Sequence, residues 1–178
     1  FEGRCYQSVT KVANGQSTAV WQCYDLRTGE IYWEIQPPTT TTTSIFGTTT
    51  TALAPSAITF KPSGEAVPGA TSSQVGTGAD LVGITGGRLY KWNPYTGALT
   101  LNVSISPLTT GTIYRDPYVL SVQSIGGKYR LINWTMRGSS TDISARVMNN
   151  ISYPFSSIGT ADYDTMIAVT TQGITPAG

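Results

Sequence analysis

Two cysteines, a pair of aspartates one residue apart and three asparagine sequons are the residues through which this chain could do chemistry, and histidine is absent. Without histidine or a CxxC pair, the chain lacks the usual ligands of zinc, the attachment site of a c-type haem and the base of a His-driven nucleophile. Asp162 and Asp164 flank Tyr163 and could offer alternating carboxylates to Ca²⁺. The plainer reading of the same residues is two solvated carboxylates at the entry to a strand. No catalytic residue, cofactor or catalytic metal is therefore expected.

Cys5 and Cys23 are equidistant from Asn14, and Asn14-Gly15 is a strong hairpin-turn signal. A hairpin centred on Asn14 sets the two sulfurs opposite each other, so a disulfide is expected; the competing reading is a pair of buried free thiols. The sequons are Asn102-Val103-Ser104, Asn133-Trp134-Thr135 and Asn150-Ile151-Ser152. In the stretch 98–105, Leu99, Leu101, Val103 and Ile105 share one face, so Asn102 is expected to point to solvent and to carry an N-glycan. For Asn133 and Asn150 the alternation leaves a glycosylated and an unmodified asparagine both open. Together the cysteine pair and the sequons point to an oxidising, extracellular or cell-surface setting.

The elements that must position these residues are legible in Cys23-Tyr24-Asp25-Leu26-Arg27-Thr28-Gly29-Glu30-Ile31-Tyr32-Trp33, which reads as strand, tight turn and strand. Asp25 can accept hydrogen bonds from turn amides and Gly29 can take a positive φ, after which Ile31, Trp33 and Ile35 alternate onto one face. The layout recurs at Asn93, Thr96 and Gly97, and more weakly over 131–138, where Gly138 closes the third copy. Gly29 to Gly97 is 68 positions and Gly97 to Gly138 is 41, which suggests one blade period of ~40 residues with an insertion in the first interval. The insertion is the Thr-rich stretch at 37–55. It is either an extended inter-strand loop or an O-glycosylated, mucin-like bristle, with Ile45 and Phe46 able to tack it to a neighbour.

These residues resemble the PQQ-like β-propeller repeat proteins, whose repeat ends in a tryptophan motif of the form Ala-x-Asp-x-x-Thr-Gly-x-x-x-Trp. Asp25, Thr28, Gly29 and Trp33 match it, with Cys23 in place of the alanine. The second copy keeps Thr96 and Gly97, with Asn93 for the aspartate and Leu101 for the tryptophan. The stretches 87–97, 118–123 and 129–135 are similar to large secreted archaeal surface proteins of this group. The resemblance implies a propeller built from repeated blades. Quinone-dependent enzymes of the same architecture use a full ring, a calcium and commonly a disulfide between adjacent cysteines, and none of these is identifiable here.

Composition independently supports an all-β chain: Gly 19, Pro 10 and Tyr 10 accompany abundant Thr, Ser, Val and Ile, and no window longer than ten residues shows helical apolar spacing. Candidate strands cover 4–11, 19–25, 30–36, 56–61, 80–85, 88–93, 98–105, 118–124, 128–134, 142–149 and 164–171. At four strands per blade these make about three antiparallel blades, an incomplete ring for a fold that closes with about four to eight. The chain starts at Phe1 and ends after what reads as the first strand of another blade. It is thus expected to be a fragment of a longer parent, or to be completed by other copies of itself. Residues 1–178 are taken as one propeller-like domain or fragment.

Lys and Arg number 11 against 10 Asp and Glu, without a basic cluster, which argues against nucleic acid as a partner. No apolar run approaches the ~20 residues needed to span a bilayer, and no signal peptide is present, so the chain reads as mature or truncated. Trp21, Trp92 and Trp134 are read as core, with a carbohydrate platform as the alternative. The functional expectation is a non-catalytic extracellular structural or interaction module of a glycosylated surface protein or filament. Its alternative is a fragment of a quinoprotein-type or glycan-active propeller enzyme.

Overall fold

The computed structural model describes residues 1–13, 15–45, 47–60, 78–158, 160–161 and 168–169. The described chain is all-β with no α-helix; a single 3₁₀ turn, Ser144–Arg146, is the one helical element. Three antiparallel meanders carry the architecture. Sheet 1 is β1 (Arg4–Ala13), β2 (Gln16–Asp25) and β3 (Ile31–Ile35). After the ribbon β4 (Thr39–Ser44) and β5 (Gly47–Ala52), sheet 2 is β6 (Ala57–Phe60), β7 (Ala79–Thr85), β8 (Arg88–Trp92) and β9 (Leu99–Ser104). Sheet 3 is β10 (Thr112–Arg115), β11 (Tyr118–Ile125), β12 (Lys128–Thr135) and β13 (Val147–Tyr153), followed by the short pair β14 (Thr160–Ala161) and β15 (Ala168–Val169). Each meander runs in chain order, as propeller blades do, and the described sheets close no ring.

Sheet 2 is buried on both faces because sheets 1 and 3 pack against its two sides. Trp21, Leu53, Leu81, Tyr90 and Trp92 form one seam with Tyr6, Trp33 and Ile35 of sheet 1. Val82, Leu89 and Val103 form the other with Val119, Ile132, Trp134 and Met136 of sheet 3. The alternation of β7 explains this division, since Leu81 and Val82 are neighbours in sequence and must face opposite seams. At the heart of the second seam the Trp134 Nε1–H donates to the Ser121 hydroxyl (2.9 Å), which donates to the Thr110 carbonyl (2.6 Å).

The three sheets are in register with one another. A bulge falls at Cys23/Tyr24 in sheet 1, at Lys91/Trp92 in sheet 2 and at Asn133/Trp134 in sheet 3, always just before the turn into the last strand. Tyr24, Trp92 and Trp134 are therefore equivalent. Their partners across the ladder, Cys5, Leu81 and Val119, are equivalent too. Sheet 1 has equivalents of the last three strands of sheets 2 and 3, and among the described strands no equivalent of β6 or β10.

Three expectations change. Ala13 pairs with Gln16, so the first turn takes two residues and its centre lies between positions 14 and 15, not on Asn14. That half-residue shift sets Cys5 opposite Tyr24 and Tyr6 opposite Cys23. Cys5 and Cys23 then point to opposite faces of sheet 1 and are free thiols, with no disulfide between them. The Thr tract is an antiparallel ribbon, Thr41 opposite Thr50 and Thr42 opposite Thr49, because β-branched side chains suit a pleated backbone. Ile45 stands exposed at its tip, and Phe46 lies outside the described residues. The strand expected over 142–149 begins only at Val147. Asp142 accepts from the Ser144 N–H (2.8 Å) and hydroxyl (2.6 Å), a local turn that competes with the ladder.

Candidate functional site

The repeat motif builds the same turn twice. In sheet 1 the Asp25 carboxylate accepts from the N–H groups of Arg27 (2.7 Å) and Thr28 (2.8 Å), and the Thr28 hydroxyl accepts from the Glu30 N–H (3.2 Å). In sheet 2 the Asn93 side chain accepts from Tyr95 (2.8 Å) and Thr96 (3.3 Å), and the Thr96 hydroxyl accepts from Ala98 (3.3 Å). Gly29 and Gly97 donate their N–H groups to Asp25 and Asn93 at 2.9 Å each, with φ of 74° and 71°. Asp and Asn are interchangeable here because the turn asks only for an acceptor oxygen. Bonds from the Thr28 N–H, the Tyr32 hydroxyl and the Arg27 N–H hold the Asp25 carboxyl down at about 2.

The turn of sheet 2 is also the docking point for sheet 1. Trp33 of sheet 1 lays its ring over Gly97 and donates its Nε1–H to the Pro94 carbonyl (3.2 Å). A methyl group at Gly97 would stand 2.9 Å from two carbons of that ring and 3.1 Å from Ile35. Glycine is required twice over: for the positive φ and for the approach of the indole. Outside this contact, the Arg4 guanidinium stacks between the rings of Tyr32 and Tyr95, 4.8 Å from each centroid, and the Tyr95 hydroxyl donates to Glu2 (2.8 Å). The next seam solves the same problem with different residues. Leu101 replaces the tryptophan, and the donor to the following turn is Lys91, whose ammonium bonds the Gly138 carbonyl (3.2 Å) and lies 3.5 Å from Asp80.

That third turn is longer and is held by Arg146. Its buried guanidinium donates to the carbonyls of Thr135, Met136, Arg137, Gly138 and Ser140 at 2.6–3.4 Å. One planar cation thus replaces the Asx turn of the first two copies. Burial pulls its pKa down from the usual arginine range. Sequence reasoning missed Arg146, Lys91 and the Arg4 clamp: a single basic residue after a Gly-Ser loop carries no periodic signal.

No family model, curated protein or solved structure matches this chain.

The sequon asparagines separate into two kinds. Asn102 and Asn150 are exposed on the last strands of sheets 2 and 3 and share one arrangement. Arg88 donates from Nε to Asn102 Oδ1 (2.6 Å) and from Nη2 to its backbone carbonyl (3.3 Å); Arg130 makes the same pair of bonds to Asn150. In both, the guanidinium takes the oxygen and leaves the Nδ2 amide, the atom a glycan would join, turned away from the arginine. Asn133 differs: half-buried on the sheet face, it donates its Nδ2 to the Tyr114 hydroxyl (3.0 Å). Arg88 and Arg130 stand 42 positions apart, the repeat spacing, a signal by which the pairing could have been found.

Trp21, Trp92 and Trp134 are buried in the seams, as a core reading requires. Cys23 faces sheet 2 across from Tyr6, and burial pushes both its thiol and the Tyr6 phenol up, so both stay neutral near pH 7. Among the described residues no three Cys, Asp or Glu side chains gather as metal ligands. Asp162 and Asp164 lie outside the described residues. No described helix is long and apolar enough to cross a membrane.

Proposed function

We propose that the chain is a non-catalytic extracellular structural and interaction module, a run of PQQ-like propeller blades within a glycosylated surface protein or a filament built from it. The observation that carries this reading is the mismatch between equivalent sheets: β7 and β11 each have a first strand paired to their outer edge, and β1 has none among the described strands. A ten-residue edge with open amides is a place for another polypeptide to add a strand. The exposed Asn102 and Asn150 support the glycosylated setting, and they narrow the expected N-glycans to these two sequons. O-linked sugars on the Thr ribbon belong to the same proposal.

Intact mass of native material before and after deglycosylation, combined with sedimentation, tests the reading. The expected result is a mass loss equal to one or two N-glycans and an assembly larger than one chain. An unmodified chain that sediments as a monomer at micromolar concentration contradicts it.

A further inference from the structure

On the assembly reading above, on which this inference rests, the outer edges of the sheets limit what can fill the position beside β1. Thr85 and Arg88 close the two-residue turn Gly86-Gly87 as a hydrogen-bonded pair, and Ile125 and Lys128 close Gly126-Gly127 in the same way. Alternation from those pairs turns the backbone groups of Leu89 and Lys91 toward β9, and those of Leu131 and Asn133 toward β13. Asn102, opposite Tyr90, and Asn150, opposite Ile132, are then non-hydrogen-bonded positions whose N–H and C=O point out of the sheet. An added strand would bond to these groups.

The carbonyls are already taken. Arg88 Nη2 donates to the Asn102 carbonyl (3.3 Å) and Arg130 Nη2 to the Asn150 carbonyl (2.9 Å), and each guanidinium is anchored by a second bond, from Nε to Oδ1 of the same asparagine. In β13 the N–H is taken as well, since Asn150 donates it to Asn149 Oδ1 (2.7 Å). An N-glycan replaces a hydrogen on Nδ2 and leaves Oδ1 a carbonyl oxygen, so the anchor survives modification and the sugar adds bulk at the same place. In sheet 1 the same register position of the outer strand is Glu34, opposite Gln22, and Val20 stands where the arginines do. That edge carries a charge in place of a cap, its carboxylate paired with Lys11.

The edge of β1 has none of these devices. Leu26 donates to the Gly3 carbonyl (2.9 Å), which assigns the odd-numbered residues of β1 to β2 and turns the N–H and C=O of Tyr6, Ser8, Thr10 and Val12 outward. Only Arg4, at its start, is closed, by reciprocal bonds with Phe1 (2.9 and 3.0 Å). In sheets 2 and 3 the equivalent position holds one four-residue strand, β6 or β10. We infer that Arg88 and Arg130 close the outer edges of sheets 2 and 3 to strand addition, so that the polypeptide completing β1 is a lone extended segment, as β6 and β10 are, and not the outer edge of another copy's sheet.

Site-resolved hydrogen exchange separates the two occupants. In native, assembled material the Tyr6 amide should be protected while the outward amides of Glu34, Asn102 and Ser152 exchange as free groups. Protection of any of these three together with Tyr6 makes the occupant a sheet edge and overturns the inference. The caps themselves are tested by the Arg88→Ala/Arg130→Ala double variant made in a host without N-glycosylation, with a protected Leu89 amide showing that sheet 2 is intact. It should associate further than the unglycosylated parent, and exchange of its Asn102 amide should slow by at least about tenfold. A double variant that associates no further, with the Asn102 amide still free, overturns the inference and leaves the assembly reading in place. Native material that is monomeric with a free Tyr6 amide removes both.

Discussion

Gly97 and Gly29 occupy the same turn in successive sheets, and replacing each with alanine separates the cost of the backbone from the cost of the docking seam. An L-residue at a φ near +70° costs about 1 kcal/mol. For Gly29→Ala that is the whole effect, because a Cβ at Gly29 meets nothing within 4 Å. For Gly97→Ala the new methyl stands 2.9 Å from the Trp33 ring and 3.1 Å from Ile35. The ring must move, which adds about 1–3 kcal/mol of overpacking. Moving it also breaks the bond to the Pro94 carbonyl, a further ~1 kcal/mol. Urea unfolding followed by tryptophan fluorescence should therefore show Gly97→Ala less stable than Gly29→Ala by about 2–4 kcal/mol. In a Trp33→Leu background, which sets at this position the residue type found at Leu101, most of the excess should vanish, leaving only the Ile35 contact. Equal destabilisation by the two alanines, within about 0.5 kcal/mol, would refute the claim that this seam depends on an indole over a glycine.

Arg146→Ala should leave the carbonyls of the third turn without a donor and cost on the order of 4 kcal/mol; Arg146→Lys should not restore it, since one ammonium cannot reach the same fan of acceptors. Hydrogen exchange should rise over residues 136–140 in both variants, and unchanged protection there would contradict the assignment. Asp25 titrates in the folded state at about 2, below its ordinary value of ~3.9, so its stabilising contribution is present above about pH 4 and is lost as the pH falls toward 2. Asp25→Asn keeps the acceptor that Asn93 uses and should flatten stability across that window, whereas Asp25→Ala should destabilise at every pH; a Asn variant with the parent's acid sensitivity would exclude Asp25 as its source. In native material, peptide mass spectrometry should find glycan on Asn102 and Asn150 and none on Asn133; bare Asn102 and Asn150 would remove the main support for the extracellular setting.

The repeat was legible where side chains speak for the backbone. Asp25, Thr28 and Gly29 recur as Asn93, Thr96 and Gly97 because a turn that needs an acceptor, a hydroxyl and a left-handed residue leaves few choices. What the turn touches was not legible. Nothing in the spacing of Trp33 says that its ring crosses to the next sheet and rests on Gly97, since that contact joins residues 64 positions apart. The cysteines show how sharply register matters: placing the hairpin centre on Asn14, not between 14 and 15, exchanges the two faces of a strand and turns free thiols into an expected disulfide. The short strand β10 escaped notice because four residues between Gly111 and Asp116 give alternation too little length to register. The Thr ribbon escaped for a different reason: its pairing comes from β-branched backbone preference without any apolar stripe. Arg146 could not be anticipated, because its partners are main-chain carbonyls that have no signature in the sequence.

The central claim is that the edge of β1 is completed by another polypeptide, and the Tyr6 amide reports on it most directly. The Leu26 N–H donates to the Gly3 carbonyl, which in the β1–β2 register assigns the odd-numbered residues of β1 to β2 and turns the Tyr6 N–H away from it, so among the described strands none accepts it and it should exchange as a free group unless an added strand does. Site-resolved hydrogen exchange on native, assembled material should show Tyr6 protected to the level of the interior ladder amides of β2, such as that of Trp21. Exchange of the Tyr6 amide at the rate of an unstructured chain, in material where β2 is fully protected, would contradict the account.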